Sequence, residues 1–212
     1  ADYLLELVQR GHAVDQHTYS HRSLIDTDPE ELRDQLLRAK ALLDEHLPGE
    51  HIGLRAPGMY RNGLQAHAEI QQLILDCGLA WVSSDYSTRS PQPGDVGTAD
   101  KNAYMMIKHR QPRWYPTGLL EIPASGYSDR HFLDMQGRSV DDWITHLQRC
   151  VDFAYDLGGL LYAPDLHPDT HSRHDPELRA IRALFRHATT RREPVLFCTY
   201  QEVYQRAAST RG

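Results

Sequence analysis

The sequence predicts an α/β fold, a parallel sheet or (β/α) barrel with helices outside. Three observations lead there. Short apolar, strand-like runs alternate with helical stretches along the whole chain. The helical stretches carry clear punctuation: Asp28-Pro29, Ser139 and Asp175-Pro176 open them, and Gly11, Pro48-Gly49, Gly78 and Gly158-Gly159 close them. Nearly every strand-like run ends on a polar or ionisable residue, and barrel folds of this kind gather their functional groups at strand exits.

Ala1 to Arg10 reads as the body of a helix, with Leu4, Leu5 and Val8 on one side. No start methionine or capping residue precedes it, so the chain is expected to open inside a domain. Gly11 sits where a left-handed cap belongs. His12 to Gln16 reads as a short strand with His17 at its exit. Asp28-Pro29-Glu30-Glu31 is a helix start, with Asp at the N-cap, Pro at N1 and Glu31 at N3. Leu32, Leu36, Ala39, Leu43 and Leu47 then mark one apolar stripe. Ile52-Gly53-Leu54 is a strand running into Arg55-Ala56-Pro57-Gly58. A helix is expected around Leu64 to Cys77 and a strand from Ala80 to Ser83.

Residues 86–118 are rich in Pro and Gly and show no clear period, so they read as an insertion or long loop, with a hairpin around Tyr104 to Lys108. Leu119 to Ile122 is a strand. Ser139 caps a helix whose inner face carries Val140, Trp143, Ile144, Leu147 and Val151; Asp141-Asp142 falls in its first turn, where carboxylates favour the helix dipole. Leu160 to Ala163 is a strand delivering Asp165-Leu166-His167-Pro168. His171 and His174 read as solvated residues of a polar loop. Asp175-Pro176 opens a helix with Leu178, Ile181, Leu184 and Phe185 inward, followed by a strand from Pro194 to Cys198 and a helix from Tyr200 to Ala208. No linker interrupts the chain, so residues 1–212 are expected to form one domain.

Composition narrows the function. A net charge of −6 gives no electrostatic reason to bind nucleic acid. No apolar run reaches the ~20 residues of a membrane span. Cys77, Cys150 and Cys198 are odd in number and widely spaced, with no CxxC pair, so they read as buried thiols; that slightly favours a reducing, cytoplasmic setting and leaves the compartment open. Oligomeric state is not encoded in any pattern here.

The chemistry centres on His17-Thr18-Tyr19-Ser20-His21. Two imidazoles four residues apart can converge on one point, and neutral imidazole suits zinc and its neighbours. Later strand exits add Arg55, Asp85, Glu121 and His167.

Taken together, Gly11-His12 with the HxxxH run, Arg55-Ala56-Pro57 and Leu166-His167-Pro168 resemble, in order and spacing, the second, third and fifth motifs of the polysaccharide deacetylases (the NodB homology domain, carbohydrate esterase family 4). The resemblance implies an incomplete, distorted (β/α) barrel of the seven-stranded type and a metal-dependent amide hydrolysis. His17 and His21 would be ligands of a divalent metal, Zn2+ above all. The metal would polarise the acetamide carbonyl and acidify a bound water. His167 would be the general acid and Arg55 would orient the general base. The backbone N–H near Gly58 would help hold the oxyanion, with Tyr60, Glu121 and Trp114 facing the substrate.

The family's first motif, two neighbouring aspartates that act as base and third ligand, is not in this sequence, so residues 1–212 are expected to lack the base and one ligand; Asp15, beside His17 where the family usually has a small residue, is the one candidate substitute. The fourth motif is not recognisable, and Glu121 and Asp85 are the candidates to tune His167 in its place, with neither marked out by the sequence. Trp81 and Trp143 fit apolar faces. Trp114 is either a sugar-stacking platform or a packing residue.

The expected activity is hydrolysis of the acetamide of N-acetylated amino sugars in a polysaccharide or glycoconjugate. Glu121-Ile122-Pro123 and Leu196 to Tyr200 resemble the branch that also holds cyclic-amide hydrolases, so a small cyclic amide or ureide is the alternative substrate. A non-catalytic carbohydrate-binding relative is the third reading.

Overall fold

The computed structural model describes residues 2–86 and 98–211. Its strands are β1 (Gly53–Tyr60), β2 (Trp81–Asp85), β3 (Arg113–Trp114) and β4 (Leu120–Glu121). Its helices are α1 (Asp2–Gln9), α2 (Pro29–His46), α3 (Ala68–Asp76), α4 (Thr98–His109), α5 (Val140–Leu157), α6 (Pro168–His174), α7 (Arg179–Thr189) and α8 (Tyr200–Ser209), with a π-helical turn at Arg130–Met135. The chain divides into two compact units. One comprises Ala1–Tyr86, Pro112–Pro123 and Phe197–Gly212; the other comprises Ser87–Gln111 and Ala124–Leu196.

The first unit holds the sheet, in the order β1-β2-β4-β3. β1 pairs parallel with β2 and β2 parallel with β4, while β3 runs antiparallel to β4. The fold is therefore α/β with a mostly parallel sheet, as expected. The sheet is open: among the described residues it has two edges and does not close into the expected seven-stranded barrel. Of the expected strand at His12–Gln16, a single parallel bridge forms, from Gln16 to Leu54. Asp28 caps α2 as predicted, its side chain accepting the Glu30 and Glu31 N–H groups. Leu32 and Leu36 of α2 pack with Leu54 and Ala56 of β1, Val82 of β2, and Ile70 and Ile74 of α3. Each large side chain so buried contributes about 1.5–3 kcal/mol.

The second unit is built around α5, opened by a capping box between Ser139 and Asp142. Its inner face, with Trp143, Leu147 and Val151, packs on Ala180, Leu184 and Ala188 of α7 and on Phe132 of the π turn. Cys150 and Ala154 of the same helix meet Ala103 and Ile107 of α4.

Four expectations change in this unit. The hairpin at Tyr104 to Lys108 is instead the body of α4, while residues 87–97 of the expected insertion lie outside the described residues. Leu160 to Ala163 forms no strand. The Gln111 amide occupies the place of a strand neighbour, accepting the Leu161 N–H at 2.8 Å and donating to the Leu161 carbonyl at 3.0 Å, while Ser125 Oγ accepts the Ala163 N–H at 3.2 Å. Pro194 to Cys198 likewise forms no strand, and Leu196 and Phe197 are exposed. The polar run after His167 is the helix α6, and it buries His171.

Candidate functional site

In the first unit the chain leaves the Gln16 bridge through a loop with left-handed backbone at Thr18 (φ 57°) and His21 (φ 60°), uncommon for residues with a Cβ. Thr18 Oγ1 accepts the Arg22 N–H at 2.9 Å, and Gln35 of α2 accepts the Ser20 N–H at 2.8 Å, so the turn is held by side chains. It sets the two exposed imidazoles of His17 and His21 edge to face, ring centroids 4.7 Å apart. His17 Nδ1 lies 2.8 Å from the Arg55 carbonyl. A carbonyl only accepts, so Nδ1 is the donor, and in the neutral form of the ring the lone pair is on Nε2. Metal-ligating histidines are commonly held in this way.

A catalytic zinc takes three protein ligands and a water. Among the described residues no group of three or more His, Cys, Asp or Glu side chains is placed to hold an ion. His17 and His21 thus offer two ligands, and the described side chains alone do not make a complete zinc site. Asp15 does not supply the third. Its Oδ1 accepts the Gly53 N–H at 2.9 Å, and burial pushes its carboxyl up.

Arg55 sits on β1 opposite Ser83 of β2 and donates to Ser83 Oγ at 2.6 Å. Gly58 follows with φ 81°, exposed, and a Cβ there would meet nothing within 4 Å. Tyr60 fastens two loops: its hydroxyl accepts the Leu24 N–H at 2.7 Å and donates to the Pro57 carbonyl at 3.1 Å. Beside them opens a depression of about 620 Å³ lined by Ile25, Met59, Tyr60, Asn62, Gln65 and His67, among others.

Glu121, expected to face substrate or tune His167, is fully buried. Its carboxylate accepts the Ser84 and Asp85 N–H groups at 2.8 and 2.9 Å, the Ser84 hydroxyl at 2.5 Å and the Tyr115 hydroxyl at 2.8 Å. Burial pushes this carboxyl up against those four donors, which pull it down. Its work is to knit β2 to β4. Asp85 is likewise engaged, with Arg113 at 2.6 Å. Trp114 packs edge-on to Tyr204 of α8, ring centroids 6.1 Å apart, with the Arg211 guanidinium 4.3 Å from its ring centre. That is the packing alternative of its two readings.

In the second unit His167 sits at the N-cap of α6. The carboxylate paired with it is Asp129, which the sequence reading passed over. Asp129 has no exposed side-chain surface; it accepts His167 Nδ1 at 2.7 Å through one oxygen and the His167 backbone N–H at 2.7 Å through the other. This fixes the ring with Nδ1 inward and Nε2 as the outer nitrogen. The Asp129 bond holds the His167 imidazolium above the ordinary histidine range, against a smaller opposing effect of burial; Asp165 adds to the rise. Neighbouring His131, whose Nδ1 is 2.9 Å from Ser128 Oγ, is pushed the other way by burial. Asp129 lies 38 positions from His167 in a stretch without periodicity, and only the Leu-His-Pro end of the pair has a recognisable signature.

Three comparisons bear on these groups. The sequence profile of the family "Polysaccharide deacetylase" matches residues 1–75, the segment that holds His17, His21 and Arg55. No curated protein matches the sequence. Among solved structures, the PuuE allantoinase is similar over 99% of this chain and 63% of its own, at 19% identity and a TM-score of 0.74. A protein from Mycobacterium smegmatis assigned to the polysaccharide deacetylases is similar over 98% of this chain and 67% of its own, at 18% identity and a TM-score of 0.71. At those identities the likeness is one of fold, and the chain spans under two thirds of the allantoinase's length.

Proposed function

We propose that this chain, whose residues 1–75 match the polysaccharide deacetylase family, is a member of that family and a metal-dependent hydrolase that removes acetyl groups from N-acetylated amino sugars of a polysaccharide or glycoconjugate. The observation that carries the reading is the His167–Asp129 pair. An amine leaves a tetrahedral intermediate poorly as an anion, so a proton must reach its nitrogen as the C–N bond breaks. An imidazole held at Nδ1 by a buried carboxylate carries that proton on Nε2, and the carboxylate raises its affinity for the proton above that of a free histidine.

Metal dependence is supported by the His17–His21 pair, whose edge-to-face rings and Nδ1 anchor suit two of the ligands of a zinc-like divalent ion. Arg55 would orient the carboxylate base that the family's first motif supplies, a motif outside this sequence. The N–H near Gly58, uncrowded by any side chain, would bind the oxyanion.

The allantoinase among the structures of like fold favours a second substrate, a cyclic ureide, whose ring opening is also amide-type C–N cleavage. Acetate release from an acetylated chito-oligomer, measured beside ring opening of a cyclic ureide, separates the two. The expected result is acetate release that a chelator stops and zinc restores, and that falls at least ~100-fold in His167→Ala. Unchanged turnover in His167→Ala removes His167 from the reaction. Binding of the oligomer with no turnover by the metal-supplemented protein points to the carbohydrate-binding reading.

A further inference from the structure

His171 follows His167 by one helical turn, its N–H bonded to the His167 carbonyl at 3.1 Å, so both rings lie on one face of α6. That face meets Asp129. One Asp129 oxygen takes His167 Nδ1 at 2.7 Å; the other is 3.5 Å from His171 Nε2. The second nitrogen of His171 is 3.8 Å from Asp175 Oδ2, and Asp175 in turn accepts the Arg179 and Ala180 N–H groups that open α7. The four side chains therefore alternate, Asp175–His171–Asp129–His167, from the start of α7 to the outer end of His167.

His171 is 4% exposed as a side chain, and neither ring nitrogen makes a hydrogen bond. Burying such a polar ring unsatisfied is unfavourable unless it acts on its neighbours, and the atoms nearest its nitrogens are carboxylate oxygens.

We propose that His171 is a positioning residue which, through the 3.5 Å approach of its Nε2 to the far oxygen of Asp129, sets how strongly Asp129 holds the proton of His167. The proposal rests on the general-acid reading of His167. A donor on the far oxygen of Asp129 draws negative charge away from the oxygen that faces His167. His167 is then a stronger acid than Asp129 alone would make it, and gives its proton more readily. The other groups acting on His167 are Asp165, which holds its proton, and Arg130 and His131, which repel it. Asp134, Arg173 and His174 pair with one another at the exposed end of α6. Only His171 reaches Asp129 from within the helix that carries the acid.

The test is the titration of His167 by NMR of its ring nitrogens in the whole chain, a readout that needs no turnover. In His171→Phe the midpoint rises by about 0.5–1 pH unit, and in His171→Gln, which keeps a donor, it stays within a few tenths of the unsubstituted value. The alkaline limb of acetate release moves with it. A His167 midpoint that is the same in His171→Phe as in the unsubstituted protein overturns the relay, and so does a rise of equal size in both variants. If His171→Phe does not fold, His171→Asn, which is too short to reach Asp129, takes its place with the same expected rise. Absence of acetate release with the NMR shifts intact refutes the hydrolase reading and leaves the relay standing.

Discussion

His167 binds its proton more tightly in the folded chain than a histidine does in solution, because Asp129 faces it from the interior. The sign of the consequence follows. A histidine with a raised folded pKa stabilises the fold fully below its unfolded value near 6.5, and that contribution is lost as pH rises through the higher folded value. Asp129→Asn removes the partner charge. The stability gap between the two proteins, from melting temperatures across pH 5.5 to 9, should be widest at the acid end and narrow upward; a gap constant across pH would detach Asp129 from His167. The same variant lowers the alkaline limb of acetate release, since the proton is then held less tightly. At the other residue pair, zinc should raise the melting temperature of the unsubstituted chain, by the equivalent of about 2.7 kcal/mol at a hundredfold excess over its dissociation constant. His17→Ala, which leaves one imidazole of the pair, should abolish that rise. An undiminished rise in His17→Ala would place the ion elsewhere.

Helices and strands differ in how far their own residues specify them. α2 and α5 are written locally: Asp28 and Ser139 cap them, and their apolar residues keep helical spacing. Ser139→Ala should therefore cost about 1 kcal/mol in urea unfolding; no measurable change would mean Asp142 holds the helix start alone. The apolar runs at Leu160–Ala163 and Pro194–Cys198 have strand-like composition but no ladder partner. A strand exists through pairing, and the Gln111 amide that serves Leu161 is 50 positions away. α4 was legible after all, because Ala103, Met106 and Ile107 are spaced i, i+3, i+4 and all buried; the density of Pro and Gly before them masked the stripe. β1 carries its own constraint. A Cβ on Gly53 would lie 1.9 Å from the Trp81 ring, so β1 and β2 approach closely only because residue 53 is Gly. Trp81 cannot yield cheaply, since it is 3% exposed and packed edge-on to Tyr200. Gly53→Ala should destabilise the chain by about 1–3 kcal/mol and weaken hydrogen-exchange protection in β1 and β2; unaltered protection would show that Trp81 has room to move.

At the scale of the molecule, the candidate residues were legible where they are written in short motifs and illegible where they depend on chain return. HxxxH, Arg-Ala-Pro and Leu-His-Pro could be read directly. Asp129 as the partner of His167, and Glu121 as a brace of the sheet, could not, because each is defined by what folds against it. The tail shows the same dependence. Residues Phe197–Gly212 belong with the first unit although more than 70 residues of the second unit, Ala124–Leu196, precede them. There Tyr200 lies edge-on to Trp81 with centroids 5.4 Å apart, Gln201 accepts from the Trp81 indole at 3.4 Å, and Tyr204 and Arg211 cover Trp114. α8 has no fully buried residue of its own, so it is held by what it covers rather than by a core. Ending the chain after Leu196 should therefore uncover both tryptophans while leaving Trp143, fully buried in the second unit, as an internal reference. The expected signature is a red-shifted tryptophan emission with a quencher-accessible fraction from Trp81 and Trp114 and a protected fraction from Trp143. Loss of the protected fraction as well would mean that the second unit needs α8 to fold, and an unshifted emission would mean that α8 is not what keeps water from Trp81.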